Sequence, residues 1–97
     1  MIFPKKILFR VHALKRMFER GITTTDIKTV LENPLVIKEY IDDKPYPSYL
    51  ILGRQEQRPI HIVVAINQST QETIIITAYI PTIEEWNDGF ITKRKNT

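Results

Sequence analysis

The chain has 97 residues, enough for one domain spanning residues 1–97 with a single core and little surplus stability. With 42% hydrophobic and 26% charged residues it reads as a globular protein, which excludes a disordered chain. It carries a net charge of +3 and no cysteine, which removes disulfides, thiolate catalysis and Cys-type zinc sites together and suits a reducing compartment.

Lys5 to Phe9 reads as a short edge strand or an arm. A first helix follows from Val11 to Arg20, with Gly21 as its natural stop. On a helical wheel Val11, Leu14, Met17 and Phe18 form the apolar face, and His12, Arg16, Glu19 and Arg20 gather on the opposite side. Ile22-Thr23-Thr24-Thr25-Asp26 opens a second helix, with a threonine as cap and Asp26 suited to the first turn. Ile27, Val30 and Leu31 keep the helical spacing, and Asn33-Pro34 ends it.

From Leu35 the pattern is β. Strands are expected at Leu35–Ile41, Ser48–Gly53, Pro59–Ile66 and Thr73–Ile80. They are separated by the turn Asp42–Pro47, a polar turn at Arg54–Arg58 and a loop at Asn67–Glu72. Pro81 ends the last strand, and Thr82–Trp86 reads as a short terminal helix. The expected fold is α+β, two N-terminal helices packed on a four-stranded antiparallel sheet. The apolar stretches Ile60–Ile66 and Ile74–Ile80 are too short to cross a bilayer. Met1 to Arg10 shows neither an extended apolar run nor a small-residue cleavage site, so no membrane partner and a cytoplasmic location are expected.

The two histidines, His12 and His61, draw attention because histidine exchanges protons near neutral pH. His12 lies off the apolar stripe of its helix, one turn from Arg16. In the third strand Ile60, Ile62, Val64 and Ile66 share a face, leaving His61, Val63 and Ala65 on the other. In the fourth, Ile74, Ile76, Ala78 and Ile80 oppose Thr73, Ile75, Thr77 and Tyr79. Making the two aliphatic faces coincide under the helices puts His61 beside Thr77 and Tyr79. Each of these is also an ordinary strand residue, and Tyr40 on the first strand is a weaker candidate.

The charge distribution adds to this. Up to Arg20 the chain carries Lys5, Lys6, Arg10, Lys15, Arg16 and Arg20 against Glu19 alone; Lys93, Arg94 and Lys95 follow near the end, while acids cluster at Asp42-Asp43 and Glu84-Glu85. Such a face attracts a polyanion such as RNA, or is simply solvated. Two histidines with nearby cations suit RNA cleavage without a metal or other cofactor. A base takes the ribose 2′-OH proton, an acid protonates the leaving 5′ oxygen, and cations stabilise the phosphorane. His12 and His61 are the candidate proton carriers. Arg16, with Arg20 behind it, is a candidate phosphate clamp, and Thr77 and Tyr79 either donate to phosphate or orient His61. Lys15 and Arg58 join Arg20 as candidate substrate-binding cations. No ligand-spaced His/Asp/Glu cluster, grouped glycines or serine-hydrolase motif points elsewhere.

The stretches His12-Ala13-Leu14-Lys15-Arg16-Met17, Glu19-Arg20-Gly21-Ile22, Arg58 to Ala65 and Ile76-Thr77-Ala78-Tyr79-Ile80-Pro81, leading to Trp86, also carry a resemblance. Pro34, Glu39-Tyr40 and Leu50-Ile51-Leu52-Gly53 belong to the same ordered set. Together they resemble the small bacterial proteins grouped as the domain-of-unknown-function 4258 family. That family is similar to the barnase–EndoU–colicin–RelE group of ribonuclease folds and to toxins of toxin–antitoxin pairs. The resemblance implies a RelE/barnase-like fold, an RNA substrate, a cognate antitoxin as partner, and His12, Arg16, His61, Thr77 and Tyr79 as site residues. The chain departs from the family pattern at Thr82, where an acidic residue is expected after the proline. The leading expectation is a metal-independent endoribonuclease toxin; the alternative is a non-catalytic RNA- or protein-binding module, or an accessory protein, of a mobile element.

Overall fold

The computed structural model describes residues 3–95; Met1, Ile2, Asn96 and Thr97 lie outside the described residues. The elements are β1 (Lys6–Phe9), α1 (Val11–Glu19), α2 (Thr24–Glu32), β2 (Leu35–Tyr40), β3 (Ser48–Gln55), β4 (Arg58–Asn67) and β5 (Glu72–Tyr79). The strands form one five-stranded sheet in the order β1-β5-β4-β3-β2. This corrects the expectation of four antiparallel strands. β2 to β5 form an antiparallel meander, but β1 joins the sheet beside β5 and runs parallel to it, from Lys6 against Glu72 to Phe9 against Ile75. A parallel neighbour needs a long connection, and here the two helices and the meander together supply it.

Local chemistry sets the helix boundaries. At the end of α1 the Ile22 amide reaches the Met17 carbonyl at 2.9 Å and the Gly21 amide reaches Phe18 at 3.3 Å. This is a Schellman closure, and it needs the positive φ of 67° that Gly21 adopts without strain. α2 opens on a capping box. The Thr23 hydroxyl accepts from the Asp26 amide at 3.0 Å, and the Asp26 carboxylate accepts from the Thr23 amide at 2.9 Å.

Alternation then divides the sheet. Ile60, Ile62, Val64 and Ile66 of β4 face the helices, none more than 4% exposed, and join Ile51, Ile75, Ala78, Met17, Ile27 and Val30 in the core. Each fully buried side chain of this kind contributes about 1.5–3 kcal/mol. α2 lies close on β3 because Gly53 has no side chain: a Cβ there would sit 2.3 Å from Val30 Cγ1. The strand pairing agrees with the expected coincidence of aliphatic faces at one end only, with His61 opposite Tyr79 and Ile62 opposite Ala78. A bulge then inserts Ile76, so that Val63 faces Thr77 but Val64 faces Ile75. Beyond it Ile75 and Thr73, not Ile74, turn to the helix side.

Two further expectations are corrected. On α1 it is Ala13 and Met17 that are buried, whereas Val11, Leu14 and Phe18 are exposed, Phe18 at 89%. The helix follows β1 directly, starts where the Arg10 amide bonds the Ile75 carbonyl, and runs beside β5. The small Ala13 faces inward there, and the larger apolar residues point away. Thr82–Trp86 is a turn, not a helix. Its only helix-like bonds share one acceptor, the Thr82 carbonyl, reached by the Glu85 amide at 3.2 Å and the Trp86 amide at 2.9 Å, too little to nucleate further winding. The chain then doubles back through Gly89 so that Trp86 bridges Lys93.

Candidate active site

The face of the sheet away from the helices carries Leu50 and Leu52 of β3, His61 and Val63 of β4, Thr77 and Tyr79 of β5, and Lys38 and Tyr40 of β2. The segment after β5 folds onto this face around His61. The Trp86 ring meets the imidazole edge-to-face, with centroids 4.4 Å apart, and Tyr79 does so at 5.2 Å. His61 is left with no exposed surface.

Its hydrogen bonds fix its state. Nε2 lies 2.8 Å from the Phe90 carbonyl oxygen, which only accepts, so Nε2 carries the proton. Nδ1 of the neutral ring then accepts from the Tyr79 hydroxyl at 3.1 Å. Burial holds the His61 pKa below its ordinary value, and the Phe90 carbonyl opposes this only in part. Tyr79 is shifted upward, chiefly by burial and then by the neighbouring Tyr40 and Glu85, which keeps it a neutral phenol. The orienting relation therefore runs from His61 to Tyr79: the buried imidazole holds the phenol through its hydroxyl.

What Tyr79 faces is an open hollow of about 530 Å³ lined by Arg20, Tyr79, Ile80 and Glu85. Arg20 reaches it from the end of α1. Its Nη1 donates to the Ala78 carbonyl at 2.8 Å, on the stretch of β5 beyond the last β1 pair. That contact anchors the guanidinium and leaves its other N–H groups for a ligand. Glu85 is exposed and held by the turn in which its carbonyl accepts from the Arg94 amide at 2.8 Å.

The sequence-derived candidates thus separate. Tyr79, Arg20 and the buried His61 meet at one place. Thr77 is half-buried on the same face, opposite Val63. His12 is not with them. It is exposed in the first turn of α1, about 12 Å along the helix from Arg20 at a rise of roughly 1.5 Å per residue, and α1 packs on the face opposite to the imidazole of His61. Arg16 pairs with Glu19 at 3.2 Å on the exposed side of α1, and Lys15 is exposed beside it. Arg58 holds the fold together: its guanidinium donates to Asp26 at 2.8 Å and to the Gly21 carbonyl at 2.9 Å. These donors tie the α1–α2 turn to β4.

Sequence reasoning missed Glu85, which carried only the signal of an acidic pair. It also missed the covering role of Trp86 and Phe90, although the single tryptophan is a cue. Among the described residues no three His, Asp or Glu side chains are grouped to hold a metal ion, and no helix is long and apolar enough to cross a membrane.

No curated protein matches the chain, and no solved structure matches it. One family model does, over residues 9–80, from the end of β1 to just past Tyr79, which includes Arg20, His61 and Tyr79 and stops short of Glu85, Trp86 and Phe90. The chain therefore belongs to the family described as "Domain of unknown function (DUF4258)".

Proposed function

We propose that the protein is an endoribonuclease that cleaves RNA without a metal, with its reacting centre in the hollow between the end of α1 and the end of β5. The observation that carries this reading is the convergence there of a guanidinium, a carboxylate and a phenol: Arg20, Glu85 and Tyr79. Arg20 binds the scissile phosphate and stabilises charge building on the phosphorane. Glu85 takes the proton from the ribose 2′-OH as that oxygen attacks phosphorus. Tyr79, turning its hydroxyl from His61 Nδ1, protonates the leaving 5′ oxygen; a phenol with a raised pKa is still far more acidic than the alcohol it protonates. The products are a 2′,3′-cyclic phosphate and a 5′-OH end, and the proton on Glu85 returns to Tyr79 through water. His61 is a positioning residue for Tyr79, and Arg16, one turn before Arg20, extends the cationic path along α1. In this reading the protein acts as a toxin held in check by a cognate antitoxin.

Purified protein should cleave RNA in EDTA. Arg20→Ala should lower the rate about 10²–10³-fold, the scale of losing one transition-state donor. Tyr79→Phe should lower it at least 10²-fold, while His12→Ala should retain it. Unchanged cleavage in both Arg20→Ala and Tyr79→Phe would sink this assignment. The complete burial of His61 favours a second reading, a module that binds RNA on this face without cutting it. It predicts salt-sensitive binding and intact RNA after prolonged incubation.

A further inference from the structure

Tyr79 borders two cavities at once. One is the Arg20–Glu85 hollow; the other, about 420 Å³, is bounded by Lys38, Tyr40, Leu50, Trp86 and Lys93, among others. The second cavity falls in the size range of small-molecule sites, roughly 300–1,000 Å³. Its walls come from separate parts of the chain: Lys38 and Tyr40 from edge strand β2, Leu50 from β3, Tyr79 from β5, and Trp86 and Lys93 from the two arms of the terminal turn. Three aromatic rings and two ammonium groups share this space. Lys38 Nζ stands 6.0 Å from the centre of the Tyr40 ring, and Tyr40 is 39% exposed, so a planar ligand can reach it.

We infer that this cavity is a nucleobase subsite, which takes the base of a single-stranded nucleotide next to the phosphate held by Arg20. The inference rests on the endoribonuclease reading for the identity of its neighbour and goes beyond it in naming what the enzyme grips besides phosphate. Every base offers a π face to aromatic walls, and the phosphate that flanks it meets Lys38 or Lys93. An apolar peptide side chain would match Ile37, Leu50, Trp86 and Ile91 but would desolvate both lysines without pairing them. Since Tyr79 lines both cavities, a strand lying across it has one phosphate in the hollow and the adjoining base in the aromatic cavity. A duplex cannot present a base there without unpairing it, so the substrate class is single-stranded RNA.

Trp86 is the only tryptophan, so its fluorescence reports occupancy of this cavity directly. The test titrates the full chain with a 2′-O-methyl hexaadenylate, which cannot be cleaved by 2′-OH attack, and with its abasic counterpart. The expected result is saturable quenching by the hexaadenylate, with about tenfold weaker binding of the abasic chain and about tenfold weaker binding of hexaadenylate by Tyr40→Ala. Lys38→Gln, a milder change on an exposed position, should lower the salt slope by about one. Equal affinity for the abasic chain, unchanged affinity in Tyr40→Ala, or tighter quenching by an uncharged Leu/Phe peptide would each overturn the subsite. Base-dependent binding with unmodified RNA left intact supports the subsite while removing the cleavage reading. Cleavage of RNA with wild-type affinity in Tyr40→Ala does the opposite.

Discussion

The two faces of one sheet are built from alternate residues of the same strands, yet they differ in kind. Toward the helices β4 presents Ile60, Ile62 and Val64, with no exposed surface and no polar atom, closed over by Met17, Ile27 and Val30. Away from the helices, its next-door residue His61 is equally buried but polar, with both ring nitrogens engaged and an irregular segment as its cover. The first face is covered by regular helices whose backbone groups satisfy one another. The second is covered by a turn whose loose backbone carbonyl at Phe90 becomes a hydrogen-bond partner. Regular structure makes a dry core, and irregular structure leaves polar groups and open space beside it.

Cavity-forming changes should separate the faces most. Ile62→Ala should cost about 2–5 kcal/mol in urea unfolding, because the closed core cannot collapse around the void. Leu50→Ala, on the other face beside an open cavity, should cost roughly half as much. Equal losses would mean that the two faces are packed alike.

On the polar face acid should act through His61. The folded-state pKa of His61 is depressed below the unfolded value near 6.5, so between those two values the unfolded chain binds the extra proton. The contribution of neutral His61 is therefore complete above about pH 6.5 and is lost as pH falls toward the folded-state value. Urea midpoints at pH 7.5 and pH 5 should show the wild type weakening more than His61→Gln; parallel declines in the two proteins would contradict the burial of a neutral ring.

Two smaller effects sharpen the same contrast at its borders. Arg58→Ala should lower stability by about 1–2 kcal/mol by unpairing Asp26 and the Gly21 carbonyl at the helix side, measured by thermal melting, with RNA affinity retained. A selective drop in RNA affinity would assign Arg58 to the substrate. Phe18→Ser should change stability by less than about 0.5 kcal/mol because the ring is 89% exposed. A loss of several kcal/mol would mean that the large apolar residues of α1 are packed after all.

Much of this architecture is written in local chemistry. Gly21 after α1, and Thr23 three residues before Asp26, carry their own stop and start signals, and both helices begin and end close to where those residues predict. The turn between β3 and β4 is less legible. Glu56 and Gln57 both take positive φ, 52° and 70°, where the usual Asn-Gly signal is missing, so its position follows from the flanking strands alone. The site was legible in half. Alternation places His61 and Tyr79 side by side from sequence, because a two-residue period holds up to the bulge. It cannot foresee that Ile76 forms that bulge, or that Arg20 bends from α1 to an unpaired strand carbonyl.

By itself, then, the sequence determined the helix caps, the apolar face of β4 and the neighbourhood of His61 and Tyr79, since each depends on residues close in the chain or on a strict alternation. Tertiary structure decided the rest: that β1 pairs parallel to a strand more than sixty residues later, that α1 turns Ala13 rather than Phe18 inward, that His12 stays apart from His61, and that Glu85 and Trp86 line the cavities beside Tyr79. The physical reason is the same in each case. These outcomes depend on where distant segments find room and partners once the core has formed, and neither residue type nor spacing records that.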